Sequence, residues 1–348
     1  MTDLGMPRLR RAPDAPAGTD GLVDRFGRIA RDLRVSLTDK CNLRCTYCMP
    51  AEGMPWLPRA ALLTDDEVVR LVRVFVALGV EQVRFTGGEP LLRPGLADVL
   101  RRVAEIAPRP RTALTTNGIG LDKVAARLAD AGLDRVNVSL DSVDREDFAA
   151  LTRRDRLPQV LDGIAAAVRA GLTPVKINAV VMRGINDGGV PNLLQWCLDR
   201  GLQLRFIEQM PLDAGHEWRA DRLVSRAEIL DRLSMRFDLT PLPSSARGSA
   251  PAELFCVDGG PATVGVIPSV TAPFCAACDR VRLTADGQVR NCLFAHSESD
   301  LRGPLREGAS DEDLARIIRG EMWRKERGHE IGLAGFHQPD RAMSAIGG

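Results

Sequence analysis

The chain has few of the features that nucleic-acid-binding proteins use. Aromatic residues make up only 4% of its 348 residues, and tyrosine occurs once, which argues against a surface on which bases stack. The 47 Lys and Arg residues nearly balance the 46 Asp and Glu residues and leave a net charge of +1. Because no general basic field attracts a polyanion such as DNA, we expect no nucleic-acid partner.

Signals for membrane insertion and export are also lacking. No apolar run reaches the roughly 18 residues of a membrane-spanning helix, and the first residues contain no apolar core of a secretory signal. The sequence therefore predicts a cytoplasmic protein without membrane contact. Residues 1–24, which are rich in Pro, Ala and Gly, are expected to form a disordered tail.

The eight cysteines are unevenly distributed along the chain. Six lie in two tight clusters, whereas Cys197 and Cys256 stand alone in apolar stretches and are predicted to be buried thiols. Disulfides are rare in the cytoplasm, so clustered thiols there favour metal binding over cross-linking.

The first part of the chain alternates short strand-like runs with amphipathic helical runs. Six such alternations imply parallel strands with right-handed crossovers, as in an open doubly wound sheet or part of a (β/α) barrel. In either fold, the chemistry belongs at the carboxyl ends of the strands. The predicted strands are Leu33–Thr38, Val80–Thr86, Arg111–Thr116, Arg135–Leu140, Val175–Val181 and Leu202–Glu208.

The regular alternation stops after Met210. We therefore predict an α/β domain over residues 25–215, followed by a smaller α+β domain over residues 216–348 that carries the second cysteine cluster.

The first cluster reads Cys41-x3-Cys45-x2-Cys48 and directly follows the first predicted strand. A structural zinc site normally has four protein ligands, but no fourth Cys or His lies nearby in the sequence. Three thiolates suit three corners of a [4Fe–4S] cube and leave one iron open to another ligand. A zinc site completed by a distant residue, or three reactive thiols, are the alternatives.

This cysteine motif, with Tyr47 before its third cysteine, resembles the signature of the radical S-adenosylmethionine (SAM) enzymes. The segment Thr86–Pro90, which reads TGGEP after the second predicted strand, is similar to a second motif of that superfamily. The resemblance implies that the open iron binds SAM and that one electron from the cluster cleaves SAM to a 5′-deoxyadenosyl radical. That radical abstracts hydrogen from a substrate.

The second cluster consists of Cys275, Cys278 and Cys292, again three thiols. A zinc ribbon with Cys256, His296 or His216 as its fourth ligand is one interpretation. Two sites with three thiols in one chain favour the same kind of site in both places. The second site would then also hold a cluster with one open iron, here for substrate.

The surroundings of this cluster narrow the resemblance. The segments Pro273–Leu283 and Asn291–Phe294 and the terminal Gly347–Gly348 closely resemble the GTP 3′,8-cyclase family of radical SAM enzymes, from about Arg34 to the C-terminus. The resemblance implies a partial (β/α)6 TIM-like barrel with a smaller C-terminal α+β unit. Two [4Fe–4S] clusters and SAM are the implied cofactors.

The implied reaction converts GTP to (8S)-3′,8-cyclo-7,8-dihydroguanosine 5′-triphosphate, the first step of molybdenum cofactor (molybdopterin) biosynthesis. The deoxyadenosyl radical takes the ribose 3′ hydrogen, the carbon radical adds to guanine C8, and no side chain serves as acid or base. Implied partners are GTP, an external one-electron donor and the cyclic pyranopterin monophosphate synthase that takes the product. A monomer or a homodimer is expected.

The same resemblance assigns individual residues. The SAM contacts are Tyr47, Gly88, Ser139 and Met210. The GTP contacts are Arg34, Arg84, Thr115, Lys176, Arg280, Val281 and Arg282. The terminal Gly347 and Gly348 are expected to thread toward the active site, although a frayed terminus is the ordinary interpretation of such an end.

The residues themselves leave several of these assignments open. Because the chain has no G-x4-G-K-[ST] phosphate loop, separate side chains must bind a triphosphate. Arg280 and Arg282 alternate on a predicted strand and point the same way, but they could equally form a solvated face. Ser139 could be a helix cap, and Met210 a core residue. We expect Asp279 to turn away from the phosphates or to pair with an arginine.

Two other functions fit the motifs less completely. One is another radical SAM enzyme with an auxiliary cluster, such as a peptide maturase, although such enzymes usually carry more C-terminal cysteines. The other is a non-enzymatic iron–sulfur or zinc protein.

Overall fold

A central sheet of six parallel strands forms the first part of the molecule, which we describe from a computed structural model covering residues 21–243, 245, 247–332 and 335–347. Each strand pairs with the next in sequence order. The strands are β1 (Asp32–Ser36), β2 (Gln82–Thr86), β3 (Arg111–Thr116), β4 (Arg135–Ser139), β5 (Lys176–Val181) and β6 (Gln203–Glu208). All six predicted strands are confirmed, with ends shifted by two residues at most.

Helices connect these strands as the alternation predicts. They are α1 (Asp65–Ala77), α2 (Leu96–Ala104), α3 (Ala125–Asp130), α4 (Arg145–Thr152), α5 (Leu157–Arg169) and α6 (Val190–Leu198). Thr64 begins α1 with a capping box, in which its hydroxyl accepts from the Glu67 amide while the Glu67 carboxylate accepts from the Thr64 amide. This reciprocal pair satisfies two of the free amides at the helix start.

The C-terminal residues form α+β structure, but their strands join the barrel sheet instead of forming their own. The strand Arg280–Leu283 (β10) pairs in parallel with β1, and the strand Thr263–Ile267 (β9) pairs in parallel with β6. Both outer edges of the six-stranded sheet are thereby covered, which satisfies backbone groups that an edge strand leaves unpaired. These strands are β7 (Leu239–Pro241), β8 (Glu253–Val257), β9 (Thr263–Ile267), β10 (Arg280–Leu283), β11 (Gln288–Arg290) and β12 (Ser299–Asp300).

The twelve strands make one sheet that runs from β12 to β7 without a ladder between these two ends in the described residues. The structure is thus a partial barrel. The C-terminal helices are α7 (Arg226–Ser234), α8 (Arg302–Arg306), α9 (Asp311–Trp323) and α10 (Met343–Ile346). None of the helices in these described ranges has the length and apolar character that a membrane crossing requires.

Apolar side chains fill the layer between the sheet and its outer helices. Phe75, Phe85, Phe148 and Phe206 are almost completely buried there, and burial of each contributes about 1.5–3 kcal/mol. Cys197 is also fully buried, as predicted. Cys256 is only partly buried, because it lies on β8 near the margin of the sheet, so that prediction is wrong.

The predicted disordered tail extends too far into the chain. Leu22 is fully buried, and the buried Asp24 carboxylate pairs with Arg28. Residues 21–24 are therefore part of the folded structure, whereas residues 1–20 of the predicted tail lie outside the described ranges.

A buried ion-pair network fixes the C-terminal segment against β11. Arg290 is 1% exposed and donates to Glu298, and Arg341 reaches both Glu298 and Asp286. Removing one partner of such a network leaves a buried charge without compensation.

We predict that Glu298→Ala lowers the free energy of unfolding by about 3–5 kcal/mol, because Arg290 then stays buried without its carboxylate. Urea denaturation measures the change. Asp98→Ala, which removes the exposed Asp98–Arg101 pair, is the control and should leave the midpoint almost unchanged. Equal effects of the two substitutions would contradict the prediction.

Candidate active site

One cavity of about 610 Å³ occupies the interior of the partial barrel, a size typical of small-molecule sites. Successive strand residues point to opposite faces of a sheet, so alternate positions of each strand face this cavity. On β4, for example, Arg135, Asn137 and Ser139 line it, whereas Val136 and Val138 pack in the core.

Three arginines lie side by side inside this cavity. Arg34 on β1 is in register with Arg84 on β2 and with Arg282 on β10, and adjacent strands are about 4.8 Å apart. Burial, together with the neighbouring Arg280 and Arg84, lowers the pKa of Arg34 to about 9. The pKa of Arg282 is well below its usual value because of burial and of Arg34 and Arg280.

Lysine and further arginines extend this positive field along the barrel. Burial, Arg205 and Arg135 lower the pKa of Lys176 to about 7, and burial lowers the pKa of Arg84 and of Arg205 to about 10 each. Such shifts report positive charges that are crowded and poorly hydrated.

Several N–H groups of these cationic side chains have no hydrogen-bond acceptor among the described residues. Buried N–H groups of Arg34 (Nε), Arg84 (Nε and Nη1) and Arg280 (Nη2) are unsatisfied in the part of the chain that the structure describes. The nearest carboxylate to Arg84 is that of Asp32, at 3.9 Å. Because buried polar groups are almost always paired, this set of donors fits a ligand with several negative charges.

Sequence reasoning missed two of these cations. Arg135 on β4 and Arg205 on β6 both line the cavity, yet neither belongs to a recognisable motif. Strand alternation could have indicated both residues. Arg135 shares a face of β4 with Ser139, and Arg205 is in register with Asn178 on β5.

The first cysteine trio lies on the loop after β1, at the carboxyl edge of the sheet. Burial, Asp141 and the other two thiols hold the pKa of Cys45 well above its usual value, and burial and Cys41 raise the pKa of Cys48 to about 12. With the pKa values raised in this way, the thiols lose their protons only when a positive charge compensates them, which fits the binding of a metal cluster. In the described ranges, no three His, Cys, Asp or Glu side chains are arranged to hold a single metal ion.

Gly88 and Glu89 of the TGGEP segment fix the position of this cysteine loop. The Gly88 amide donates to Thr38 O at 2.7 Å, and the Glu89 amide donates to Lys40 O at 2.7 Å. A Cβ atom at Gly88 would lie 2.4 Å from both the Asp39 and the Lys40 carbonyl oxygens. Only glycine therefore permits the TGGEP segment to approach the loop so closely.

Glu89 organises the next strand end from a fully buried position. Burial raises its pKa to about 7, and its carboxylate accepts from the Thr116 hydroxyl and the Asn117 amide, each at 2.7 Å. The Asn117 side chain then donates to Asn42 at 2.6 Å and approaches Cys41 Sγ at 3.9 Å. The loop and the strand end are thus held together by a buried hydrogen-bond network.

The single tyrosine is fixed to a residue that sequence reasoning missed. Tyr47 donates to the Asp141 carboxylate at 2.7 Å, which also accepts from the Val180 amide at 2.8 Å. Burial raises the pKa of Asp141 to about 6. Ser139, Met210 and Thr115 also line the cavity, whereas Gly88 contacts the cysteine loop and does not line it.

The second cysteine trio lines the cavity, whereas the cysteines of the first trio do not, and only Tyr47 of their loop does. Cys275, Cys278 and Cys292 influence one another electrostatically and all face the cavity. The proposed fourth zinc ligands, Cys256, His216 and His296, lie outside the cavity lining.

A histidine that the sequence did not indicate lies close to this trio. His329 lines the cavity, but its Nε2 is 2.8 Å from Ser269 O, and its Nδ1 accepts from the Ile331 amide at 3.4 Å. With both ring nitrogens engaged, His329 does not supply a fourth ligand in this arrangement.

The C-terminal segment lies against Arg282 and the ends of β1 and β2. Arg282 donates to the Gly347 carbonyl, and a Cβ at Gly347 would lie 2.9 Å from Ser36 and Thr86, at the ends of β1 and β2. Ser344 on α10 hydrogen-bonds Cys48. Gly348 lies outside the described residues.

Two predictions about the segment after Cys278 need correction. Val281 is fully buried in the hydrophobic core, because it alternates with Arg280 and Arg282, so its side chain points away from the cavity. Asp279 lines the cavity, and no ion pair of its carboxylate occurs in the described ranges; the expected pairing with an arginine is not confirmed.

Comparison with known proteins identifies the family. The Radical SAM superfamily profile matches residues 35–197, and the Molybdenum Cofactor Synthesis C profile matches residues 202–331. A GTP 3′,8-cyclase of Streptomyces coelicolor is 60% identical over 341 residues, which span 98% of this chain and 100% of that protein. One of Mycobacterium sp. (strain KMS) is 60% identical over 349 residues, which span 100% of this chain and 99% of that protein.

The chain belongs to the GTP 3′,8-cyclase family of radical SAM enzymes. Membership of the radical SAM superfamily implies SAM and a [4Fe–4S] cluster as cofactors. Among solved structures, Streptococcus suis SuiB bound to precursor peptide SuiA shares the fold at a TM-score of 0.57 and 14% identity. The match covers 91% of this chain and 75% of that one.

We predict that Gly88→Ala displaces the first cysteine loop and lowers the iron bound after anaerobic reconstitution by roughly four atoms per chain, one [4Fe–4S] cluster. The cause is the 2.4 Å approach of the new Cβ to two carbonyl oxygens. Gly188→Ala is the control, because a Cβ there meets no atom within 4 Å. Full iron content in Gly88→Ala would show that the loop tolerates the methyl group.

Proposed function

We propose that this chain converts GTP to (8S)-3′,8-cyclo-7,8-dihydroguanosine 5′-triphosphate, the first step of molybdenum cofactor biosynthesis. The observation that carries the proposal is the row of partly unsatisfied arginines that lines the same cavity as the second thiol trio. A nucleoside triphosphate supplies the negatively charged hydrogen-bond acceptors that these arginines have no other partner for. The planar guanidinium group of Arg also matches the geometry of phosphate oxygens.

The first trio, Cys41, Cys45 and Cys48, is proposed to hold the cluster that binds SAM. When bound, this cluster and SAM supply a 5′-deoxyadenosyl radical by one-electron reduction. Tyr47, Ser139 and Met210 follow or end different strands and all line the cavity; they are proposed, with Gly88, to orient SAM. The Tyr47–Asp141 hydrogen bond keeps the ring of Tyr47 in place.

The second trio, Cys275, Cys278 and Cys292, is proposed to hold another [4Fe–4S] cluster, whose open iron anchors the guanine ring. Its position in the cavity lining supports this, as does the absence of the expected fourth zinc ligands from that lining. The triphosphate would then extend into the barrel toward the cationic residues. The cationic residues are Arg34, Arg84, Lys176, Arg280 and Arg282, and the uncharged Thr115 is proposed as a further GTP contact.

The barrel walls and the C-terminal segment are proposed to keep water away from the reacting atoms. Arg282 holds Gly347 at the ends of β1 and β2, and exclusion of water protects a reactive intermediate from side reactions. We further propose an external one-electron donor and product transfer to cyclic pyranopterin monophosphate synthase. The protein is proposed to act in the cytoplasm as a monomer or homodimer.

Anaerobic incubation of the reconstituted protein with SAM, a reductant and GTP is expected to yield 5′-deoxyadenosine and the cyclised nucleotide. We expect about eight irons per chain for two [4Fe–4S] clusters. A Cys275→Ala, Cys278→Ala, Cys292→Ala variant should keep about four irons and lose cyclisation. Zinc in the second site, or equal turnover of ATP, would contradict the proposal.

We predict that GTP binding takes up a proton at Lys176 above pH 7. In the protein without GTP, burial and neighbouring arginines lower the pKa of Lys176 to about 7. A triphosphate beside Lys176 favours its charged ammonium form. Affinity for GTP should therefore fall as the pH rises above about 7.

Calorimetry in two buffers of different ionisation enthalpy measures this proton uptake. Lys176→Arg is the matched comparison, because arginine stays protonated at these pH values and GTP's own titration is common to both proteins. Identical proton uptake by the two proteins would rule out Lys176 as the titrating group.

A further inference from the structure

Lys325 is a buried lysine just beyond the end of α9. It is 2% exposed, and no ion pair with a carboxylate occurs for it among the residues that the structure describes. Lysine is almost never fully buried unless its charge is compensated. The chain contains only four lysines, and Lys325 is the one that is buried.

The compensating groups belong to the second cysteine segment. Lys325 Nζ donates to Arg280 O at 2.8 Å, to Cys278 O at 3.4 Å and to Cys278 Sγ at 3.4 Å. An ammonium group has three N–H donors, and these three acceptors account for all of them. The only acceptor among them that can carry a full negative charge is the Cys278 sulfur.

The residues that follow Lys325 approach another cysteine of the same trio. The His329 backbone hydrogen-bonds the Cys275 sulfur, and Arg28 donates to Cys275 O at 2.8 Å and to Arg327 O at 2.9 Å. The segment 325–329 therefore surrounds two of the three sulfurs and is itself held in place by Arg28.

The first trio has a different environment. Among the described residues, the side chains that hydrogen-bond its sulfurs are neutral, namely Asn117 at Cys41, Tyr47 at Cys45 and Ser344 at Cys48. A fixed ammonium group in contact with sulfur thus distinguishes the second trio from the first.

We propose that Lys325 is a positioning residue that raises the reduction potential of the cluster at Cys275, Cys278 and Cys292. The inference rests on the proposed function, which places a [4Fe–4S] cluster there. Reduction adds negative charge to a cluster, and a nearby cation and an N–H···S hydrogen bond stabilise the reduced state. The same ammonium holds the Cys278 and Arg280 backbone, so it also fixes the start of β10.

The test is a redox titration of the anaerobically reconstituted full chain, followed by electron paramagnetic resonance. The signal of the second cluster is assigned by its loss in the Cys275→Ala, Cys278→Ala, Cys292→Ala variant. Lys325→Met removes both charge and donor, whereas Lys325→Gln keeps an N–H donor without charge. Lys123→Met, at an exposed lysine, is the control for loss of a positive charge.

We expect Lys325→Met to retain about eight irons per chain and to shift the second cluster to lower potential. The expected size is on the order of tenfold in the ratio of reduced to oxidised cluster at a fixed potential, which corresponds to about 59 mV for a one-electron couple. Lys325→Gln should fall between Lys325→Met and the unsubstituted protein, and Lys123→Met should have no effect.

An unchanged potential in Lys325→Met would overturn the proposal, as would loss of about four irons in both Lys325 variants, since the lysine would then serve only assembly. If only Lys325→Met loses iron, the reduction potential of the second cluster in Lys325→Gln decides the question. A potential below that of the unsubstituted protein supports the proposal, and an unchanged potential overturns it. About four irons in the unsubstituted protein would instead overturn the second cluster itself, so the two failures are distinguishable.

Discussion

The chemistry of the cavity depends on an excess of positive charge inside the barrel, which the carboxylates of the described residues do not neutralise. Arg34, Arg84 and Arg282 stand in register on adjacent strands, and buried N–H groups of Arg34 and Arg84 lack acceptors among the described residues. Like charges at this spacing repel one another strongly where water is scarce. An anionic ligand with several charges would relieve both the repulsion and the missing hydrogen bonds, as proposed for the triphosphate of GTP.

The topology explains how residues far apart in sequence reach this cavity. Parallel strands place their carboxyl ends at one edge, where the first cysteine loop, Glu89 and Asp141 meet. The C-terminal strands then extend the same sheet at both sides, and this brings Arg280 and Arg282 beside Arg34. The two parts of the chain therefore build one site. The C-terminal segment places Gly347 against the ends of β1 and β2.

Different kinds of residue were predictable to different degrees. The cysteine trios and the TGGEP segment were recognisable because metal ligation and close backbone approach demand particular residues at fixed spacing. Arg135, Arg205 and Asp141 were missed, because a charged residue near a strand end carries no signal until the strand's inward face is known. Lys325 was missed for a different reason, because its contact with Cys278 joins residues 47 positions apart.

The sequence by itself determined the alternation of strands and helices, the two sets of three thiols and the resemblance to radical SAM enzymes. These features are local, because hydrophobic periodicity, capping and ligand spacing are set by neighbouring residues. Only the tertiary structure decided which cations share the cavity, that Val281 faces the core, and that Lys325 lies against the second trio. Those outcomes depend on strand register and on contacts between distant segments, which packing of the whole chain establishes.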